Sequence, residues 1–192
     1  MARPKEFNTE EVLEKAIRLF RQQGYTAASI QDLTEATGLS RSSLYDTFGD
    51  KHALYLAALN QYIAQRRRMM QYVLNQPLSK KEGLRAYLTE FVKMLMEEEE
   101  PGCLAVEAAT ELAGRDKEVS QIIARNIEEI KKSFLTAVLG AQQQGEISQD
   151  KDPEALAAFL VNATFGLRVI VKANRDRRLV TDIVSVTLSI LD

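Results

Sequence analysis

Apolar residues recur at helical spacing along almost the whole chain, and the breaks between runs are marked by Gly, Pro and capping residues. Asn8 and Glu11 form a cap pair ahead of Val12, Leu13, Ala16, Ile17 and Phe20, and Gly24 closes that first run. Ser29 followed by Asp32 reads as a capping box for a short second helix, which Gly38 ends in a left-handed turn. Ser40 caps a third, Arg41 to Thr47, whose one strong apolar residue is Leu44. Asp50 opens a long fourth helix to about Asn75, and Ser79 opens a fifth to about Glu100. Cys103 to Ala113 forms a short apolar sixth and Lys117 to Gln144 a long amphipathic seventh. Pro153 stands at the first turn of an eighth, and Arg178 to Leu191 forms the last. The pattern contains no strand signal, so the fold class is all-α, with about nine helices.

The third run sets the problem. A helix this short and polar is not stable alone. It needs a brace on one side and a polar partner on the other. A helix-turn-helix supplies both: one helix braces the next, which enters the major groove of DNA. Phe20, Ile30, Leu33, Leu39, Leu44 and Phe48 are the expected brace. The polar face of the first helix (Glu14, Lys15, Arg18, Arg21) reads as solvated, as does the run Arg66-Arg67-Arg68.

The eighth helix raises a different question. Residues 153–171 are apolar on nearly every side and long enough to span a bilayer, but Glu154, Asn162, Thr164 and Arg168 interrupt them. No membrane is therefore expected. A soluble helix of this kind has to be covered on every side. One face is expected on its own chain and the other on a second copy, through Ala155, Ala158, Phe159, Asn162 and Gly166 with Ile183, Val186 and Ile190 of the last helix. That arrangement is a homodimer closed by four helices.

Composition narrows the function. At 192 residues and 45% hydrophobic, the chain can bury a real core. Net charge is −2, and residues 1–52 hold seven Lys/Arg against eight Asp/Glu, or −1. DNA contact must then come from the placement of charges and not from their sum. Arg3, Pro4 and Lys5 make a short basic arm at the start of the chain. One Cys (Cys103) and one His exclude a disulfide framework and the usual zinc sites, so no metal is expected. A lone Cys suits a reducing cytosol, and the N-terminus lacks the apolar core of a signal peptide, so a cytoplasmic protein is expected. There is no Gly-rich phosphate loop, no nucleophile elbow and no nucleophile–base pair, so neither a cofactor nor an enzyme is expected.

Taken together, Ala16, Leu19-Phe20, Gly24-Tyr25, Ser29-Ile30, Leu33, Ala36, Gly38-Leu39-Ser40, Leu44-Tyr45, Phe48-Gly49, Lys51 and Leu54 resemble the TetR/AcrR family of transcriptional regulators. Thr34 and Thr37 depart from it, standing where that family often has Ala, and so does Ala28, where Thr is common; Thr34 should loosen the junction of the two short helices slightly. The resemblance implies a DNA-binding domain over residues 1–52 and a helical ligand-binding and dimerisation domain over 53–192. It implies a homodimer on a palindromic double-stranded operator, released by a small-molecule effector. By position, Arg41, Ser42, Ser43 and Asp46 would approach base edges, and Ser29, Tyr45, Thr47 and Lys51 would contact phosphate. The effector would lie among Phe91, Met94, Cys103, Glu107, Phe134, Phe165 and Arg168. An activator or ligand-independent regulator on the same fold, and a helical scaffold with a vestigial DNA head, remain open alternatives.

Overall fold

The computed structural model describes residues 7–76, 79–97 and 102–192. The basic arm with Arg3, Pro4 and Lys5, and the acidic residues 98–100, lie outside them. Among the described residues there are nine α-helices and no strand: α1 (Thr9–Ala27), α2 (Ile30–Thr37), α3 (Arg41–Phe48), α4 (Lys51–Leu74), α5 (Lys80–Glu97), α6 (Leu104–Glu111), α7 (Lys117–Gln143), α8 (Pro153–Ala173) and α9 (Arg177–Ser189).

The helix starts follow the capping chemistry. Asn8 Oδ1 accepts from the N–H of Glu10 at 2.9 Å, and the Ser29/Asp32 box is closed in both directions, at 3.1 and 2.8 Å. Asp50 accepts from Ala53 N–H at 2.7 Å, and Asp152 caps α8 ahead of Pro153. Gly24 interrupts α1 at φ 79°, ψ −178°, a conformation open essentially to glycine alone.

The chain forms two compact units. The first is Met1–Gln65 with Cys103–Ile123, and the second is Arg66–Gly102 with Ala124–Asp192. The boundary expected at 52/53 falls inside the first unit. The reason is packing: α6, distant in sequence, lies against α1, while α2 packs on α1 and α3 on α2. In this unit Ala16, Phe20, Leu33, Leu44, Leu54, Tyr55, Leu59, Leu104, Ala108 and Val119 are buried. Of the expected brace, Phe20, Leu33 and Leu44 are buried, and Ile30, Leu39 and Phe48 are half-buried.

The face of α1 expected to be solvated is largely engaged. Glu14 accepts from the amides of Gln61, at 2.7 Å, and Gln65. Lys15 donates to the Thr37 carbonyl at 3.2 Å, and the Arg21 guanidinium lies 5.9 Å from the centre of the Tyr62 ring. Only Arg18 of the four is exposed. With α2 and α4 flanking it, α1 has too little free circumference for a wide solvated stripe.

In the second unit α5 packs on α8 and α9, and α8 on α9. Its core holds Leu84, Leu88, Phe91, Phe134, Val138, Leu160, Leu167 and Val171. Helix α8 is long and apolar enough to cross a membrane by length and composition, but only 39% of its most apolar stretch is buried. Ala157, Leu160, Val161, Thr164, Leu167 and Val171 point inward, whereas Ala155, Ala158, Phe159, Asn162 and Val169 form an exposed stripe. On α9, which packs on α8, Val186 is 65% exposed.

Candidate nucleic-acid interface

The turn between α2 and α3 is built from local bonds. Gly38 sits at φ 77° and donates its N–H to Thr34 O. Thr37, one of the two departures at the Ala positions, is buried. Its hydroxyl donates to Leu33 O at 2.6 Å and accepts from Leu39 N–H at 3.3 Å, so the extra oxygen stitches the turn. Thr34, at the other Ala position, is half-buried and bonds within α2, to Gln31 O at 2.8 Å.

Helix α3 buries only Leu44. Arg41, Ser42 and Asp46 are exposed, and Ser43, Tyr45 and Thr47 are half-buried beside them. The structure thus brings all the expected base-edge residues to one short helix. The Arg41 guanidinium lies 5.4 Å from the Tyr45 ring centre, which restricts a long side chain without hiding its donors. Ser40 caps α3 through Ser43 N–H at 3.1 Å, and its hydroxyl lies 3.0 Å from that of Ser42 and 2.9 Å from that of Ser43. Ser29 is exposed at the start of α2, with its oxygen and N–H engaged in the capping box.

Lys51 is held more firmly than a free surface lysine. Its Nζ lies 4.5 Å from the centre of the Tyr25 ring. Burial pushes its pKa below the ordinary value, against the pull of the Glu111 and Asp32 carboxylates. Lys51 as a whole is half-buried at the first turn of α4, where a phosphate would also meet helix N–H groups.

Two carboxylates that sequence reasoning passed over reach this unit from beyond residue 100. Glu111, at the end of α6, accepts from the N–H of Tyr25 at 2.8 Å and of Thr26 at 2.7 Å. Burial acts to raise its pKa, but the bonds from Thr26 and Tyr25 and the charge of Lys51 outweigh it, so Glu111 titrates below its ordinary value. Asp116 caps α7 through Glu118 and Val119 N–H, each at 3.0 Å, and its other oxygen meets His52 Nε2 at 2.6 Å. The Val119 bond leads the effects that lower the Asp116 pKa. His52 is therefore a tie between α4 and the cap of α7. The sequence shows that Glu107 and Glu111 share a helix face, but gives no sign of a partner 85 positions earlier.

The residues expected around an effector are divided between the units. Cys103 and Glu107 belong to the first, with Cys103 buried at the N-cap of α6. Phe91, Met94, Phe134, Phe165 and Arg168 belong to the second, where Phe91 and Phe134 are core and Met94 and Phe165 pack on it. Tyr87 lies between Phe91 and Phe134, with ring centres 5.8 and 5.5 Å away. The Arg168 guanidinium lies 4.7 Å from the Phe91 ring centre. Arg66, Phe91, Met94 and Arg168 line a cavity of only ≈ 10 Å³, about enough for one water. Arg66 thus departs from the solvated reading of its run, while Arg67 and Arg68 are exposed.

A short braced helix that buries one side chain and presents arginine, hydroxyls and a nearby lysine on its open side defines a helix-turn-helix DNA-binding regulator. Comparison with known proteins gives the family. Residues 12–58 match the model for bacterial regulatory proteins of the tetR family, and residues 80–186 match the tetracyclin repressor-like C-terminal domain. The chain belongs to the tetR family of transcriptional regulators. It is 36% identical over its full length, and over the full length of the relative, to the uncharacterized HTH-type transcriptional regulator YezE of Bacillus subtilis. It is 29% identical to the HTH-type transcriptional repressor ComR of Escherichia coli, over 82% of this chain and 76% of that one. Among solved structures, a cysteine mutant of the TetR family regulator CifR, complexed with a 26-base-pair operator duplex, superposes with a TM-score of 0.88 at 31% identity, covering all of both chains.

Proposed function

We propose that this protein is a ligand-responsive transcriptional repressor that binds a palindromic operator as a homodimer. The observation that carries the reading is the open face of α3, with Arg41 steadied on Tyr45 and Lys51 at the adjacent start of α4. The kinship with ComR, a repressor, and with CifR, solved on operator DNA, supports it. Arg41, Ser42, Ser43 and Asp46 read base edges, while Ser29, Tyr45, Thr47 and Lys51 hold phosphate. The exposed stripe of Ala155, Ala158, Phe159 and Asn162 with half-buried Gly166, together with Ile183 and Val186 of α9 and Ile190 at its C-cap, is the contact with the second copy. A self-complementary apolar stripe suits the two-fold symmetry that a palindrome requires. An effector seated at Phe91, Met94 and Arg168 has to widen the ≈ 10 Å³ space there, and it releases DNA only if it favours that opened state. The bound molecule would thus replace aromatic core contacts with its own.

Selection of bound duplexes from a random library, followed by binding measured against salt, tests the reading. Arg41→Ala should relax sequence preference at one position, at about 1–3 kcal/mol of discrimination. Lys51→Ala should weaken all sequences alike and lower the salt slope by about one phosphate contact. Normal binding by both variants would place recognition elsewhere.

A further inference from the structure

Residues 27–50, which hold α2, the turn and α3, are flanked on both sides by anchors to one remote segment. On the N-terminal side, Glu111 holds the N–H groups of Tyr25 and Thr26. On the C-terminal side, Asp116 holds His52 at 2.6 Å, and Glu118 lies 3.9 Å from the other ring nitrogen. Both carboxylates fall in the stretch 80–186 that matches the C-terminal family model, yet both belong to the compact unit of the reading helix. Tyr25 links the two sides. Its ring stands edge-on to His52, with centres 6.3 Å apart, and carries the Lys51 amine at 4.5 Å. Gly24 makes the first anchor possible, because a Cβ there would lie 2.8 Å from Glu111 Oε2.

We infer that Glu111 is a positioning residue for DNA recognition: from α6 it fixes the α1–α2 junction and, through Tyr25, the Lys51 amine, so that α3 and Lys51 meet the duplex in one pose. The inference rests on the DNA-binding reading above. Glu111 touches no DNA itself. Its two oxygens match two consecutive N–H groups that the break at Gly24 leaves outside the regular helix, and charge-assisted bonds of this kind are directional. The His52–Asp116 tie does the same work at the other end. A pose held at two ends has little freedom to rotate, and the registration of phosphate and base contacts depends on that angle.

The test uses the full-length protein and an operator selected with the unaltered chain. Glu111→Ala should weaken operator binding by roughly tenfold, in the range that positional coupling reaches. The slope of log K against log salt should not change, since no phosphate contact is removed. Amide exchange at Tyr25 and Thr26 should accelerate while helix content is retained. Glu111→Gln, which keeps one acceptor, should fall between Ala and the unaltered protein. If Glu111→Ala does not fold, Glu111→Gln and His52→Gln carry the test, each with weakened operator binding at constant slope. A folded Glu111→Ala with faster exchange but unchanged operator affinity makes the bond merely structural and overturns the inference. A shallower salt slope makes Glu111 part of the phosphate contact network and overturns it too. If the unaltered chain selects no sequence, the DNA-binding reading and this inference fall together, whereas selection by the unaltered chain with no loss in the variants sinks the inference alone.

Discussion

Gly24→Ala, made with and without Glu111, gives a stability measurement whose size can be worked out in advance. At φ 79°, ψ −178° an alanine is strained by about 1–3 kcal/mol wherever its side chain points. The new Cβ also lies 2.8 Å from Glu111 Oε2, so the carboxylate has to leave the N–H of Tyr25. A hydrogen bond to a charged group contributes about 1.5–3 kcal/mol net. Gly24→Ala should therefore cost about 2.5–6 kcal/mol, a large share of the roughly 5–15 kcal/mol that holds a domain together. With Glu111→Ala in place the collision disappears and only the strain of about 1–3 kcal/mol remains. The double mutant should then lose about 1.5–3 kcal/mol less than the sum of the single changes. The assay is urea unfolding of the full chain at one fixed protomer concentration, because association shifts apparent stability. Additivity within about 0.5 kcal/mol would show that Gly24 and Glu111 do not meet and that the glycine serves the backbone turn alone.

Tyr55 is fully buried and its hydroxyl has no hydrogen-bond partner among the described residues, so Tyr55→Phe should stabilise the protein by about 1 kcal/mol or more and raise Tm by about 2–4 °C per kcal/mol; a fall in Tm would show that the hydroxyl is satisfied. Gly166→Arg should give a folded monomer by sedimentation, because a Cβ at Gly166 meets nothing within 4 Å in its own chain; an intact dimer would move the interface off this stripe. Glu111 titrates below its ordinary 4.5, so it stabilises the fold above that pH and the contribution is lost as the pH falls through its folded value. The stability gap between the unaltered protein and Glu111→Gln should accordingly narrow on acidification below pH 4.5, and a gap constant from pH 7 to pH 3 would contradict the assignment.

What was readable in the sequence was local. Asn8, the Ser29–Asp32 box, Gly38, Ser40 and Pro153 each act on backbone groups within four residues, and the helix limits follow them. The apolar excess of α8 was legible as well, because a two-sided apolar helix is a local pattern even when its partner is remote. That α6 returns to pack on α1 within one compact unit was not, since it depends on residues far apart in the sequence. The same limit hid Glu111 and His52: on a helix wheel both are polar residues on a plausible solvent face. The effector site was not legible for another reason. Phe91, Phe134 and Phe165 have the same periodicity whether they line a pocket or fill a core; Phe91 and Phe134 are core residues and Phe165 packs against them.

The near-neutral charge of the head, which by count alone argues against DNA, is resolved by where the carboxylates go. Asp32 is spent on the cap of α2, Asp50 on the cap of α4 and Glu14 on two amide side chains. Glu111 and Asp116 arrive from elsewhere, but both face backbone N–H groups. A carboxylate at a helix start is offset by the dipole it caps, so its field beyond the first turn is weaker than its formal charge. The cations Arg41 and Lys51 are instead stacked on tyrosine rings, which orient them without neutralising them. Counting charges gives −1 over residues 1–52, but the count treats capping acids and open cations as equivalent. On the open side of α3 only Asp46 opposes Arg41, and it sits where an acceptor can serve a cytosine amine. A reading head of this kind has weak general affinity for polyanions, and its binding rests on a few placed groups. Any residue that fixes their placement, Glu111 first, then matters to recognition out of proportion to its distance from the DNA.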